Sequence, residues 1–278
     1  MKLNIFGKTA VVLISTILVT TSTYAGDKKG VDKKVYSFSI VPQQSAIKTS
    51  KVWGPLLKYL TAQTGIKFRL RTNRSIPEFE GYLKDEKYDF SYMNPYHYVT
   101  FHSSANYNAV AKAKDKKIKG IMVVLKDSSI LRLEELEGKQ LAFPSPNAFA
   151  ASMLPQAYLK QQGIKFTPKY VLSHDAVYTN VARKKYVSGG GVVRTFNNTN
   201  KRIKRKLRIL WTTKGYTPHA IASHSRVPKE DVKRVQDALI SLSESKQGMK
   251  VLNGLKLKGF VSAHDADWDD VRALKIGE

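Results

Sequence analysis

Two tyrosines, an asparagine and a histidine stand together where a predicted strand meets a predicted helix. Residues 88–93, YDFSYM, mix apolar and polar side chains as half-buried strands do, and Asn94 then opens a helix. Asn94 can cap that helix, which leaves Tyr92, Tyr96 and His97 to present hydroxyl and imidazole groups. These neutral donors and acceptors suit the binding of a polar ligand. The alternative is a helix cap with core aromatics, because buried Tyr and His also need hydrogen-bond partners.

A glycine run followed by an arginine is the second candidate. Gly189, Gly190 and Gly191 lie in a predicted strand at residues 186–193, and their lack of side chains lets a ligand or another stretch of backbone come close. Arg194 follows, and its guanidinium can hold a phosphonate or carboxylate by two parallel hydrogen bonds. A surface role is the alternative for this arginine. The run is not a nucleotide-binding P-loop, because the GKS/T ending is missing.

Catalytic and metal chemistry find little support in the sequence. It has no cysteine, which excludes thiolate metal sites, iron–sulfur clusters and a catalytic thiol. The motifs GxSxG, HExxH and GxGxxG are absent. The histidine pairs 97/102 and 219/224 are five apart, a poor spacing for metal ligands on one helix face. The acidic cluster at residues 265–270 lacks the glycine and glutamate of a calcium loop. We therefore predict no catalysis, cofactor or metal site.

Strands and helices alternate along the chain, which predicts mainly parallel sheets covered by helices. Strands are predicted at residues 35–41, 66–70, 88–93, 108–113, 120–126, 139–143, 169–172, 186–193, 207–211 and 219–223. Helices are predicted from a cap at Ser50 to Gly65 and at residues 76–84, 94–102, 148–163, 175–185, 229–243 and 267–274. Ligands bind such sheets beyond the carboxyl ends of the strands, so Gln43 and Gln44 are further candidates. The alternative for both glutamines is an exposed loop.

The N-terminus predicts an exported protein. Lys2 and Lys8 give a basic start, apolar residues run over 9–19, and small residues close the segment at Ala25. The apolar run is shorter than the ~20 residues that a membrane-spanning helix needs. A cleaved signal peptide at residues 1–25 is therefore preferred to a membrane anchor.

The charge is strongly positive, with 47 Lys and Arg against 22 Asp and Glu among 278 residues. The run KRIKRKLR at residues 201–208 invites a nucleic-acid interpretation. It lies beside an apolar strand candidate, and no base-stacking module accompanies it, so a solvated basic face is preferred. A positive field also attracts anions to a cleft or to an anionic membrane surface.

Four stretches of the sequence indicate a protein family more specifically than the composition does: YDFSYMNPYHYV, LEELEGKQLAFPSPNAFAAS, SHDAVYTNVA and YTPHAIASH. In this order the chain resembles the phosphate, phosphite and phosphonate solute-binding proteins of ABC importers, over residues 35–274. The resemblance implies an α/β, bilobal periplasmic-binding-protein fold of type II (Venus flytrap), with two mixed sheets. It implies two crossings between the lobes, near residues 122–126 and 217–222. Lobe 1 would contain residues 26–123 and 219–278, and lobe 2 residues 124–218.

The resemblance also places the helix that begins near Ala148 at the cleft. Family members that hold a phosphonate carry Ser and Thr there, whereas this sequence keeps polar side chains only at Ser145 and Asn147, and Phe149 adds an apolar ring. Backbone N–H groups at a helix start still attract an anion. Capping of the helix is the alternative role for Ser145 and Asn147.

The resemblance likewise places two further features at the cleft: the turn that carries His174 and Tyr178, and His219 on the second crossing. For His174 and Tyr178 the alternative role is helix capping or packing. The predicted ligand-binding residues are Gln44, Tyr92, Asn94, Tyr96, His97, Ser145, Asn147, Ala148, His174, Tyr178, Arg194 and His219.

The function implied is that of an exported, periplasmic solute-binding protein of an ABC importer. It would close its lobes on a small anionic ligand resembling phosphonate, phosphite or phosphate, and deliver it to a permease in the inner membrane. We expect a monomer with no nucleic-acid partner. The alternatives are a ligand sensor that docks on a membrane receptor, a basic surface protein that binds polyanions and, third, a hydrolase.

Overall fold

Two mixed β-sheets organise the chain. The computed structural model describes residues 1–3 and 34–276, so the predicted signal peptide lies outside the described residues except for its first three. In chain order the strands are β1 (Val35–Ile40), β2 (Lys67–Arg71), β3 (Phe90–Met93), β4 (Tyr107–Ala113), β5 (Gly120–Leu125), β6 (Lys139–Phe143), β7 (Phe166–Tyr170), β8 (Ser188–Val192), β9 (Leu207–Thr212), β10 (Ala220–His224) and β11 (Phe260–Ser262).

Helices cover both sheets. They are α1 (Ala46–Thr64), α2 (Ile76–Lys84), α3 (Pro95–Ala105), α4 (Leu154–Gln161), α5 (His174–Ala182), α6 (Val193–Asn197), α7 (Lys201–Lys204), α8 (Lys229–Ile240), α9 (Lys246–Leu255) and α10 (Asp269–Arg272). A π-helix, Phe149–Met153, leads directly into α4, and 3₁₀ turns occupy Leu133–Leu136, Ser241–Glu244 and Asp265–Trp268. The sequence did not predict α6, α7, α9 or β11.

The strand order is β11-β4-β10-β3-β1-β2 in the first sheet and β7-β6-β8-β5-β9 in the second. In the first sheet β1 runs parallel to β2 and β3, whereas β10 is antiparallel to β3 and β4. In the second, β6 runs parallel to β7 and β8, and β5 is antiparallel to β8 and β9. The expected α/β fold with two mixed sheets is confirmed. The expectation of mainly parallel pairing is wrong, because five of the nine strand pairings among the described residues are antiparallel.

Local chemistry explains most element boundaries and two errors of prediction. Helix α1 begins after Ser45, whose side chain accepts the Lys48 amide, and it ends at Gly65 with φ 72°. The predicted cap Ser50 lies inside this helix, because Ser45 caps it one turn earlier. Strand β7 begins three residues before the predicted strand. It contains Pro168 because it lies at the edge of its sheet, where a proline costs no ladder hydrogen bond.

The chain passes between the sheets twice. Residues 114–119 join β4 of the first sheet to β5 of the second, and residues 213–219 join β9 back to β10. The first crossing was predicted at 122–126, but those residues lie in or next to β5, whose apolar side chains are buried in the second sheet. A bridge between Ile118 and Tyr216 holds the two crossings side by side. The predicted lobe boundaries themselves stay a prediction.

The two sheets share buried apolar packing. Phe38, Leu60 and Phe90 belong to the core of the first sheet, and this cluster continues into Phe149 and Val192 beside the second sheet. Apolar packing is therefore continuous between the two sheets. No helix among the described residues is both long enough and apolar enough to cross a membrane.

Candidate functional site

Asn94 joins the two lobes at the start of α3. Its Oδ1 accepts the His97 amide at 2.8 Å, which caps the helix, and its Nδ2 donates to the Asn147 carbonyl at 3.0 Å. One side chain therefore caps α3 and bonds to the loop that precedes the π-helix. The two alternatives for Asn94, a helix cap and a residue that bonds across the cleft, are therefore compatible, because different atoms of its side chain serve each one.

Glu80, on α2, completes this contact. His97 Nε2 lies 2.8 Å from Glu80 Oε1, and the Asn147 side chain donates to Glu80 Oε2 at 3.3 Å. The same Nε2 also lies 3.2 Å from Asn94 Nδ2, and the buried Nδ1 of His97 has no partner among the described residues. Sequence reasoning missed Glu80, because a glutamate within a helix carries no local sign of a role across the cleft.

Gln43 forms a second contact between the lobes. Its Oε1 accepts a hydrogen bond from Arg194 Nη2 at 2.5 Å, and its backbone carbonyl accepts the His174 amide at 3.2 Å. Its Nε2 donates to His219 Nε2 at 3.2 Å. His219 can accept because burial and the Arg194 charge hold its pKa well below the usual range, which keeps the ring neutral.

Aromatic packing fixes this group. The Tyr92 ring stacks on His219 with centroids 4.8 Å apart and planes 12° apart, and the Arg194 guanidinium lies 5.9 Å from the Tyr92 ring centroid. Burial raises the pKa of Tyr92, so its hydroxyl stays protonated. The structure thus brings together Tyr92, Arg194 and His219, three of the predicted residues.

His174 is positioned from within the second lobe. Its Nδ1 lies 3.1 Å from Thr195 Oγ1, and the Tyr178 hydroxyl lies 2.7 Å from the same oxygen. Burial, with a smaller contribution from Arg194, lowers the pKa of His174 to about 3, so the ring is neutral at ordinary pH. Tyr178 also bonds to the backbone of Val192 and packs beside the second sheet, in an apolar cluster with Ile121, Val177 and Phe196.

The glycine run makes room for protein. A Cβ at Gly190 would lie 1.9 Å from the Ala151 carbonyl oxygen of the π-helix, and a Cβ at Gly191 would lie 2.3 Å from the Tyr178 hydroxyl. A Cβ at Gly120 of β5 would likewise lie 1.9 Å from the Ala150 carbonyl oxygen. The close approach predicted for this run is thus made by the backbone and by Tyr178.

A central cavity of about 10 Å³ lies where these contacts meet. Its polar lining residues are Gln43, Asn94, His174 and His219, and its apolar ones include Phe149. This volume holds about one water molecule. Phe149 and Ala150, at the start of the π-helix, also line it, and their amides donate to no backbone acceptor within residues 34–276.

The remaining predicted residues lie around this cavity or apart from it. Ala148 lines it, and Ser145 is buried with an Oγ that has no partner among the described residues. Tyr96 is half-buried against the first core. Gln44 donates to Asp175 at 3.3 Å in an outer groove, whereas its neighbour Gln43 reaches the centre. The backbone turn after β1 decides which of the two glutamines points inward.

Metal chemistry gains no geometric support. Within residues 1–3 and 34–276, no three His, Asp or Glu side chains come together as potential metal ligands.

Comparison with known proteins gives a consistent set of relatives. Residues 38–268 match the sequence model of a family described as ABC transporter, phosphonate, periplasmic substrate-binding protein. The PhnD1 protein of Prochlorococcus marinus, solved in complex with methylphosphonate, is similar with a TM-score of 0.80 and 18% identity, over 87% of this chain and 97% of that one.

Two further structures share the fold. A binding-protein component of an ABC phosphonate transporter from Pseudomonas aeruginosa has a TM-score of 0.81 and 17% identity, over 88% of this chain and 86% of that one. A Xanthomonas citri protein solved with bound ATP has a TM-score of 0.69 and 15% identity, over 87% of this chain and 95% of that one.

Proposed function

The chain belongs to the periplasmic substrate-binding proteins of phosphonate ABC transporters, and from this premise we propose that it captures a small phosphorus oxyanion between its two lobes. The observation that carries the proposal is the direct bonding of polar groups across the lobes. Asn94 bonds to Asn147, and Gln43 bonds to both His174 and Arg194. A ligand that replaces part of these contacts would hold the lobes together through its own oxygens.

The chemistry of the cavity suits an oxyanion. His174 and His219 are neutral, so their rings offer hydrogen bonds without a full charge. The amides of Phe149 and Ala150 have no backbone acceptor among residues 34–276, and N–H groups at a helix start stabilise negative charge. Arg194 lies outside the lining of this cavity and holds Gln43, whose Oε1 accepts its hydrogen bond.

The volume of the cavity sets the order of events. Methylphosphonate has a phosphorus, a carbon and three oxygens, which need more room than the water-sized space in the closed form. The lobes must therefore separate for entry, and the ligand must displace some of the direct contacts when they close. A ligand shifts this equilibrium only by as much as it binds the closed form better than the open one.

The family indicates a periplasmic location and an ABC transporter as the partner. We propose that residues 1–25 direct export of the protein and are then cleaved. The mature protein acts as a monomer and delivers its solute to the permease of an ABC importer. We propose that it catalyses no reaction and binds no nucleic acid. A sensing role, in which the closed form docks on a membrane receptor, is the second candidate.

Thermal unfolding with added solutes tests the proposal. The mature chain would be screened with phosphate, phosphite, methylphosphonate and 2-aminoethylphosphonate, with sulfate as the control anion. A ligand at 100 times its Kd adds about 2.7 kcal/mol to the free energy of unfolding, which raises Tm by several degrees. We expect at least one phosphorus oxyanion to raise Tm and sulfate to have little effect. The absence of a shift with every phosphorus compound would contradict the proposal.

A further inference from the structure

A second and larger cavity lies beside the two crossings. Its volume is about 230 Å³, and we call it the hinge cavity. Lys116, Lys117 and Lys119 line it from the first crossing, His219 lines it from the second, and Arg194 lines it from the start of α6. Lys256, which follows α9, closes the side formed by the first lobe. The cavity is thus bordered by both lobes and by the segments between them.

The lining of the hinge cavity carries charge of one sign. Four lysines and one arginine face it, and no aspartate or glutamate is among the residues that line it. Lys117 Nζ lies 3.9 Å from Asp270. Within residues 34–276, Lys116, Lys119, Arg194 and Lys256 have no carboxylate within 4.0 Å. Lys116 Nζ instead donates to the Lys256 carbonyl at 3.0 Å.

These cations repel one another in a partly enclosed space. Burial, together with the charges of Arg194 and Lys256, lowers the pKa of half-buried Lys116. The same lysine and Arg194 contribute to the lowered pKa of His219. Lys119 and Lys256 are exposed, so the cost of desolvating an unpaired cation falls on half-buried Lys116 and Arg194, and a bound anion would lower it.

Most of the remaining lining is apolar, and Asn197 and His219 are its other polar residues. Ile118, Val192 and Leu257 border the cavity, and the Tyr92 ring lies near Arg194. Apolar walls with convergent cations fit an organic molecule that carries a concentrated negative charge at one end. The space is also much larger than the central cavity.

We propose that the hinge cavity binds a small organic phosphate, at a site separate from the solute site in the central cavity. Its phosphate lies among Lys116, Arg194 and Lys256, and its organic part lies against Ile118 and Val192. A molecule bound there contacts both lobes and both crossings. Its occupancy therefore favours the closed form, so it raises the affinity for the solute without occupying the cleft.

Calorimetric titration of the mature protein with phenyl phosphate tests the proposal, because this probe combines a dianion with an apolar ring. The test variant is Lys116→Gln with Lys256→Gln. The control variant is Lys229→Gln with Lys246→Gln, which makes the same change in net charge at exposed lysines outside the cavity. Charge-assisted hydrogen bonds are strong, so the test variant should bind about tenfold more weakly and the control within about twofold of wild type.

Competition separates this site from the solute site. Saturating methylphosphonate should leave phenyl phosphate affinity unchanged if no phosphonate binds in the cleft, and should raise it if one does. Three results would overturn the proposal: loss of phenyl phosphate affinity in methylphosphonate, no heat of binding at millimolar phenyl phosphate, or equal weakening in the test and control variants. The third result would mean that phenyl phosphate responds only to the net charge of the surface.

Discussion

Asn94 has two roles that substitution can separate. Asn94→Ala removes the α3 cap and the contacts of Nδ2, whereas Asn94→Ser keeps a capping oxygen and loses the bond to Asn147 together with the 3.2 Å contact between Nδ2 and His97 Nε2. Loss of the cap costs about 1 kcal/mol of stability, and loss of the bond across the lobes weakens solute binding about fivefold. Urea unfolding and solute titration should therefore show both defects in the alanine variant and only weaker binding in the serine variant. Equal affinities in wild type and both variants would remove Asn94 from the site.

At the same scale, His174 gives the protein an acid-sensitive stability. Its pKa is about 3 in the folded chain and about 6.5 when unfolded, so the unfolded chain takes up the proton first. Stability is complete above the unfolded pKa and falls as the pH decreases towards 3. Between pH 7 and pH 5 this one histidine costs about 2 kcal/mol. In urea unfolding, His174→Gln should lose that share of the pH dependence; an unchanged slope would contradict the assignment.

At the scale of the element, the π-helix is held against β8 by the absence of side chains. A Cβ at Gly190 would lie 1.9 Å from the Ala151 oxygen and 2.7 Å from the Phe143 ring. Gly190→Ala should cost about 1–3 kcal/mol, as overpacking does, and should weaken solute binding by displacing the helix start. Gly254→Ala in α9 is the control, because nothing lies within 4 Å of its added Cβ, and it should be stabilising. Equal unfolding midpoints for the two variants would count against this packing role.

At the scale of the whole molecule, Lys48 links the lobes at the cleft edge. From α1 its Nζ donates to the Asn198 carbonyl at 2.7 Å and lies 3.5 Å from Asp175. Such part-exposed pairs contribute about 1 kcal/mol or less, so Lys48→Met should lower solute affinity by no more than about fivefold. It should also increase the radius of gyration of the solute-free protein in small-angle scattering. Lys51→Met, at an exposed position of the same helix, is the control and should change neither; the same response in both variants would contradict the link.

Much of the fold was predictable because its causes are local. The alternation of strands and helices follows from hydrophobic periodicity, and Asn94 and Gly65 mark helix ends by their own backbone chemistry. The four motif stretches pointed to the family, which the comparison confirmed. The missed α6, α7 and β11 are short, and the lysines and arginines of α7 give no periodic contrast. Helix α9 was missed although Val251, Leu252 and Leu255 are spaced for one buried helix face.

The site itself depended on contacts that no local pattern contains. Arg194 and Gln43 are 151 positions apart, and Asn147 and Glu80 are 67 apart. The sequence by itself determined the α/β order, the helix caps and the need for small residues at 189–191. Only the tertiary structure decided that Gln43 rather than Gln44 points inward, that Glu80 joins the cleft and that lysines gather at the crossings. Propensity acts over a few neighbouring residues, whereas these meetings are set by how the two sheets pack.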